Sequence, residues 1–215
     1  MNQIPNSKFR LDISDYLVHY TKGVEAIKAF KSIVDGGAIT GGTGYIKGGY
    51  RCVCFTESPV HAIRDILLRR SECEVKYEPF GIAVSKAWLF EQGGRPVIYQ
   101  PDDEFESLPD TLRWRHVSYN PNRNPPADFT WEREWRIKTD SLEITPDIAC
   151  LVVPSIDQLR LVCSQHQLTE NVPQTLYSWL EDCFVLEADF KSGRWATLLL
   201  SNPESGWSGI DVDLD

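Results

Sequence analysis

Phe129-Thr130-Trp131-Glu132-Arg133-Glu134-Trp135-Arg136-Ile137 is the stretch on which the reading of this chain turns. Its aromatic and branched residues predict a β-strand over 129–137. Strand side chains alternate, which puts Trp131, Arg133, Trp135 and Ile137 on one face and Glu132, Glu134 and Arg136 on the other. Two carboxylates and a guanidinium in one row make an exposed charged ladder over a half-buried sheet.

Working outward, residues 120–128, NPNRNPPAD, read as a loop before that strand, and Leu112–Tyr119 alternates in part. Upstream, strands are expected at Tyr16–Thr21, Arg51–Glu57, Phe80–Val84 and Pro96–Tyr99. Helices are expected over Val24–Val34, from Pro59 to about Arg70, and around Lys86–Phe90, with Gly36-Gly37 closing the first. Downstream come strands at Cys150–Val153 and Trp195–Leu200, a short helix or strand at Asp157–Ser164 and a helix at Gln174–Cys183. Short elements without regular βαβ alternation predict a single α+β domain over 1–215, with the informative motifs inside 16–140.

The chain has 215 residues, 42% hydrophobic and 25% charged, enough for one good core. No apolar run nears the roughly 20 residues that cross a bilayer, and the first residues carry no secretory signal, so a cytoplasmic protein is expected. The six cysteines sit in apolar text, and Cys52-Val53-Cys54 has strand rather than metal-knuckle spacing, so no metal site is expected. Net charge is −9, which argues against a broad grip on a nucleic-acid backbone. Residues 111–138 depart from that balance, with six Lys/Arg (among them Arg113, Arg115, Arg123 and Arg133) against three acids. Trp114, Tyr119 and Trp131 are interleaved with them, and arginine beside stackable rings suits single-stranded nucleic acid.

Read in order, the chain presents His19-Tyr20-Thr21 on a first strand, a helix, and seven glycines within 36–49. Val53-Cys54-Phe55-Thr56-Glu57, Gly93-Gly94-Arg95-Pro96-Val97-Ile98-Tyr99 and Trp131-Glu132-Arg133-Glu134-Trp135-Arg136 follow. This succession resembles the ADP-ribosyltransferase superfamily, in the branch built on histidine, an aromatic and glutamate. The likeness is nearest to DarT-like and AbiGi-like toxin and phage-defence families. The resemblance implies a split two-sheet core with flanking helices, NAD as co-substrate in the cleft, and a nucleic-acid acceptor, DNA or RNA, with a protein acceptor as the other option. It implies Glu134 as the catalytic carboxylate and Glu132 as the second candidate. It implies NAD contacts from His19, Tyr20, Thr21, Arg51, Phe55 and Thr56, with Phe55 stacking on nicotinamide where many relatives carry tyrosine. Trp114, Arg115, Tyr119, Arg123 and Trp131 would meet the acceptor. Three other readings stand beside it: a non-catalytic or antitoxin-type interaction subunit, an NAD glycohydrolase, and an RNA 2′-phosphotransferase. A toxin of this kind would have an antitoxin partner.

Overall fold

A computed structural model describes residues 13–60, 62, 77–168 and 184–200. The strands are β1 (Tyr16–Lys22), β2 (Ala38–Thr40), β3 (Cys52–Thr56), β4 (Tyr77–Ser85), β5 (Arg95–Pro96), β6 (Ile98–Gln100), β7 (His116–Ser118), β8 (Glu134–Lys138), β9 (Ser141–Glu143), β10 (Ala149–Val153), β11 (Gln165–Leu168), β12 (Phe184–Phe190) and β13 (Gly193–Leu199). The helices are α1 (Ala26–Gly36), α2 (Lys86–Glu91), α3 (Asp110–Arg113) and α4 (Ile156–Arg160). The class is α+β. Nine strands form one sheet in the order β11-β12-β13-β10-β4-β1-β3-β8-β5, with β2–β9 and β6–β7 as separate two-stranded pairs.

The central strands are covered on both faces, which is why Ala149–Val153 is apolar at every position and buried throughout. One face of the sheet carries Leu17, Val53, Phe55, Ile82, Leu151 and Trp135, packed with α1, α2 and α4 through Phe30, Val34, Leu89 and Leu159. The other carries Tyr16, Val18, Tyr20, Cys150, Val152 and Leu198. Helix α1 follows its apolar stripe, burying Ala26, Phe30 and Val34, and ends where Gly37 turns left-handed (φ 65°) and its N–H caps Ile33 and Val34. Ser85 and Ser155 cap α2 and α4, accepting from the N–H groups of Trp88 and Gln158.

Where the resemblance implies two sheets, the described residues form one nine-stranded sheet and two two-stranded pairs. Hydrogen bonding runs unbroken from β10 through β4 to β1. The join between β1 and β3, however, consists of one registered pair, Val18–Thr56, whereas every residue of β3 is registered on β8. Beyond that pair the His19 side chain takes up the carbonyl of Cys54 that a continued ladder would have used. The sheet is thus continuous but nearly divided at this seam.

Two sequence expectations are corrected. The strand predicted over 129–137 begins only at Glu134. Thr130–Glu132 is a 3-10 turn and Arg133 is left-handed (φ 45°). Asp128 causes this by accepting hydrogen bonds from both the N–H and the hydroxyl of Thr130, a local turn that competes with the ladder. The strand predicted over Pro96–Tyr99 is two: β5 pairs with β8, then β6 turns to pair in parallel with β7. Leu112–Tyr119 is the end of α3 followed by β7. The helix predicted from Pro59 lies mostly outside the described residues, as does the one at Gln174–Cys183. No described helix is long and apolar enough to cross a membrane.

Candidate active site

Register builds the site. Val18 pairs with Thr56 and Thr56 with Glu134, so the three side chains leave the same face of neighbouring strands. A hollow opens there at the β1–β3 seam, lined among others by His19, Cys54, Thr56, Tyr77, Glu132 and Glu134. Its volume is about 30 Å³, the room of a water or one hydroxyl group.

His19 spans the seam, its Nδ1 2.8 Å from the Cys54 carbonyl. A carbonyl only accepts, so Nδ1 carries the proton and Nε2 keeps a lone pair. Burial pulls the His19 pKa below the ordinary histidine value and the Lys22 charge adds to this, against the raising effect of the Cys54 hydrogen bond. The ring is therefore neutral at pH 7. Nε2 has no partner among the described residues, which leaves an acceptor for a hydroxyl.

Glu134 and Arg136 form a two-pronged pair: Arg136 Nε donates to Oε1 at 2.7 Å and Nη2 to Oε2 at 3.1 Å. Arg136 Nη1 donates to the carbonyls of Trp114 (3.1 Å) and His116 (2.8 Å), so every edge of the buried guanidinium is engaged. The carboxylate is held in one orientation, with lone pairs left over. Glu132 is treated differently. Tyr77 Oη donates to its Oε2 at 2.6 Å. Burial pushes the Glu132 pKa up, the Glu134 charge pushes the same way, and the Tyr77 bond opposes both. The Cys54 thiol stays protonated because burial, then Glu134, raises its pKa. The two carboxylates are thus held differently, Glu134 by a guanidinium and Glu132 by a phenol.

Side-chain hydroxyls hold the irregular 129–134 segment in place. Thr56 donates to the Glu132 carbonyl at 2.5 Å, and Ser58 to that of Trp131. Tyr99 Oη donates to the Phe129 carbonyl and accepts from the Glu134 N–H, both at 3.1 Å.

Of the residues singled out in the sequence, His19, Tyr20, Phe55, Thr56, Glu132 and Glu134 line the hollow together. Thr56 serves as an organiser, its hydroxyl committed to the 129–134 segment. Tyr20 is buried, and its hydroxyl has no partner among the described residues. Thr21 is not in the site: its hydroxyl ties β1 to β4 through the Phe80 carbonyl. Phe55 is 2% exposed, in the core with Trp135, and touches His19 edge-on at 5.9 Å. Arg51 sits at the far end of β3 and pairs with Asp140 at 3.0 Å. The glycine-rich segment lies at that end too, Gly42 bridging Cys52.

Of the expected acceptor residues, Trp114 is buried, its indole donating to Thr111. Trp131 is half-buried and meets Tyr77 edge-on at 6.5 Å. Arg115 and Tyr119 are half-exposed near β7, and Arg123 is exposed on the loop, donating to the Pro125 carbonyl. The sequence reading missed Tyr77, Lys22, Cys54 and Tyr99. Tyr77 stands 55 positions from Glu132, so no local pattern links them. Arg136 was legible, sharing the alternation of Glu134.

Comparison with protein-family models, curated proteins and solved structures finds no match for this chain.

Replacing Tyr77 with phenylalanine will move the Glu132 pKa still higher, because the lost bond favours the anion. A raised folded pKa contributes stability below the ordinary carboxylate range and loses it as pH rises through the raised value. Y77F will therefore be penalised more steeply than wild type between acid and neutral pH. Carboxyl NMR titration and urea unfolding across that range read both effects. An unmoved or lowered Glu132 titration would refute the assignment.

Proposed function

We propose that the chain is an NAD-dependent ADP-ribosyltransferase acting on a nucleic acid, as a toxin or defence effector, with Glu134 as its catalytic carboxylate. The observation that carries this is convergence: His19 and Glu134, 115 positions apart in the sequence, line one hollow across a nearly divided sheet, with Glu132 beside them. The hollow takes only a hydroxyl-sized group, so the ribose edge of NAD would enter it and the rest would lie over the open face.

The glycosidic bond between ribose C1′ and the nicotinamide nitrogen breaks with its electron pair going to nicotinamide. Glu134 steadies the positive charge that develops on the sugar, through its 2′-hydroxyl. His19 Nε2 accepts from a ribose hydroxyl and orients it. The acceptor nucleophile bonds to C1′, and Glu132 takes the proton it sheds. Arg136 positions Glu134 and touches no substrate.

One competing reading is favoured by a specific observation. The two-pronged clamp of Arg136 on Glu134 is also what a purely structural strut looks like, as a non-catalytic interaction subunit would have. Incubating the protein with NAD labelled in its adenine, alongside separate pools of DNA, RNA and protein, separates them. The expected result is label in a nucleic-acid pool and release of nicotinamide. Nicotinamide with free ADP-ribose alone would make the protein a glycohydrolase, and unconsumed NAD would leave the strut.

A further inference from the structure

At the outer edge of the nine-stranded sheet Arg95 of β5 meets Arg115, which lies just before β7. Arg95 folds back over the Phe90 ring, its Cζ 3.9 Å from the centroid. Its Nη1 donates to the carbonyls of Phe90 (2.8 Å) and Gly94 (2.6 Å). The turn before it is built for this: Gly93 has φ 99°, and a Cβ on Gly94 would lie 2.6 Å from the Leu89 side chain. Arg115 approaches from the other side, its Nε donating 2.8 Å to the carbonyl of Pro96, the residue after Arg95. Both guanidiniums are half-exposed. Burial lowers the Arg115 pKa and the Arg95 charge lowers it further.

Among the described residues neither has a carboxylate within 4.0 Å. Arg51, Arg113, Arg136, Arg160 and Arg194 each grip one. Two like charges pinned by backbone carbonyls repel in the free protein, and an anion between them offsets that cost. Forked, fixed donors of this kind fit phosphate oxygens.

The position relates the pair to the site. Arg95 registers with Arg136, two residues along β8 from Glu134. Standard strand spacing then puts the Arg95 backbone about 8 Å from that of Glu134. Exposed rings occur on the adjoining chain: Phe90 beneath Arg95, and Phe129, whose carbonyl Tyr99 holds. Cationic donors beside stackable rings are what single-stranded nucleic acid requires.

We infer that Arg95 and Arg115 form a phosphate subsite that holds the backbone of a single-stranded nucleic-acid acceptor next to the Glu132–Glu134 hollow. The inference rests on the transferase reading for the acceptor's fate, but its test uses no NAD chemistry. Binding of a fluorescent single-stranded DNA and an RNA oligonucleotide is measured by anisotropy at several salt concentrations for wild type, Arg95→Gln, Arg115→Gln and Arg115→Lys. Each glutamine variant should lower the slope of log affinity on log salt by about 0.7, and the lysine variant should keep it. Thermal melts certify that each variant is folded, and the lysine variant provides a second comparison should a glutamine variant fail to fold. No binding by wild type, or equal slopes throughout, overturns the subsite. A loss of NAD affinity in the glutamine variants, with oligonucleotide binding unchanged, overturns it in favour of a diphosphate site for NAD. Oligonucleotide binding that depends on both arginines, in a protein that never cleaves NAD, would support the subsite while refuting the transferase reading.

Discussion

Arg136→Ala will cost about 3–5 kcal/mol of folding stability, the penalty for stranding one partner of a buried ion pair. The guanidinium holds both oxygens of Glu134 and the carbonyls of Trp114 and His116. Its side chain and that of Glu134 are only 6% and 12% exposed. Removing it leaves a half-buried carboxylate without a counter-charge and two carbonyls without a donor, and water reaches neither easily. It also uncouples β7 from the main sheet, since those carbonyls lie just before β7 and at its first residue whereas Arg136 belongs to the main sheet. A domain of this size has about 5–15 kcal/mol in total, so the variant should unfold at far lower urea. Arg136→Lys should recover part of the loss, since a point charge cannot fork across both oxygens and reach both carbonyls. A fall of less than about 1 kcal/mol, the worth of an exposed pair, would mean that this pair is solvated and that Glu134 is not held as described.

The sequence made legible what depends on alternation and on strong punctuation. Tyr16–Thr21, Arg51–Glu57, Phe80–Val84 and Cys150–Val153 are apolar, branched runs between turn residues, and each is a strand, with ends shifted by one to three residues. Helix α1 was visible in its stripe and in Gly36-Gly37. Harder to read were places where a side chain overrules the backbone pattern. FTWEREWRI has the composition of one strand, yet Asp128 and a left-handed Arg133 hold its first half off the sheet. That departure brings Glu132 against Tyr77 rather than simply two steps along a ladder from Glu134. Similarly, His19 and Thr21 share a strand parity and were expected to act together. The seam beside β3 frees His19 to turn into the gap, while Thr21 remains under β4. Phe55 is an aromatic in the expected position that alternation packs into the core while it also lines the hollow. Partners separated by long stretches, such as Tyr99 with Glu134, leave no trace in a single sequence.

If the proposed transferase reading holds, Glu134→Gln will lower NAD cleavage about 10²–10³-fold, the usual cost of losing one stabiliser of transition-state charge, with little change in KM. Glutamine keeps a carbonyl oxygen for the ribose hydroxyl but cannot answer positive charge on the sugar, so the loss falls on kcat. The same change strips Arg136 of its counter-ion, so stability falls as well. Turnover must therefore be compared below the unfolding midpoint of both proteins. Glu132→Gln separates the two carboxylates. Its amide oxygen still accepts from Tyr77, and the burial cost that raises the Glu132 pKa disappears. This variant should fold at least as stably as wild type at pH 7 yet lose transfer to the acceptor, because the amide cannot take a proton. Slow NAD cleavage to free ADP-ribose should survive in it, since Glu134 is intact. A stability gain paired with a transfer loss is the mark of a residue kept for chemistry. If folded Glu134→Gln cleaves NAD within threefold of wild type, the carboxylate is a strut for β8 and the catalytic assignment falls.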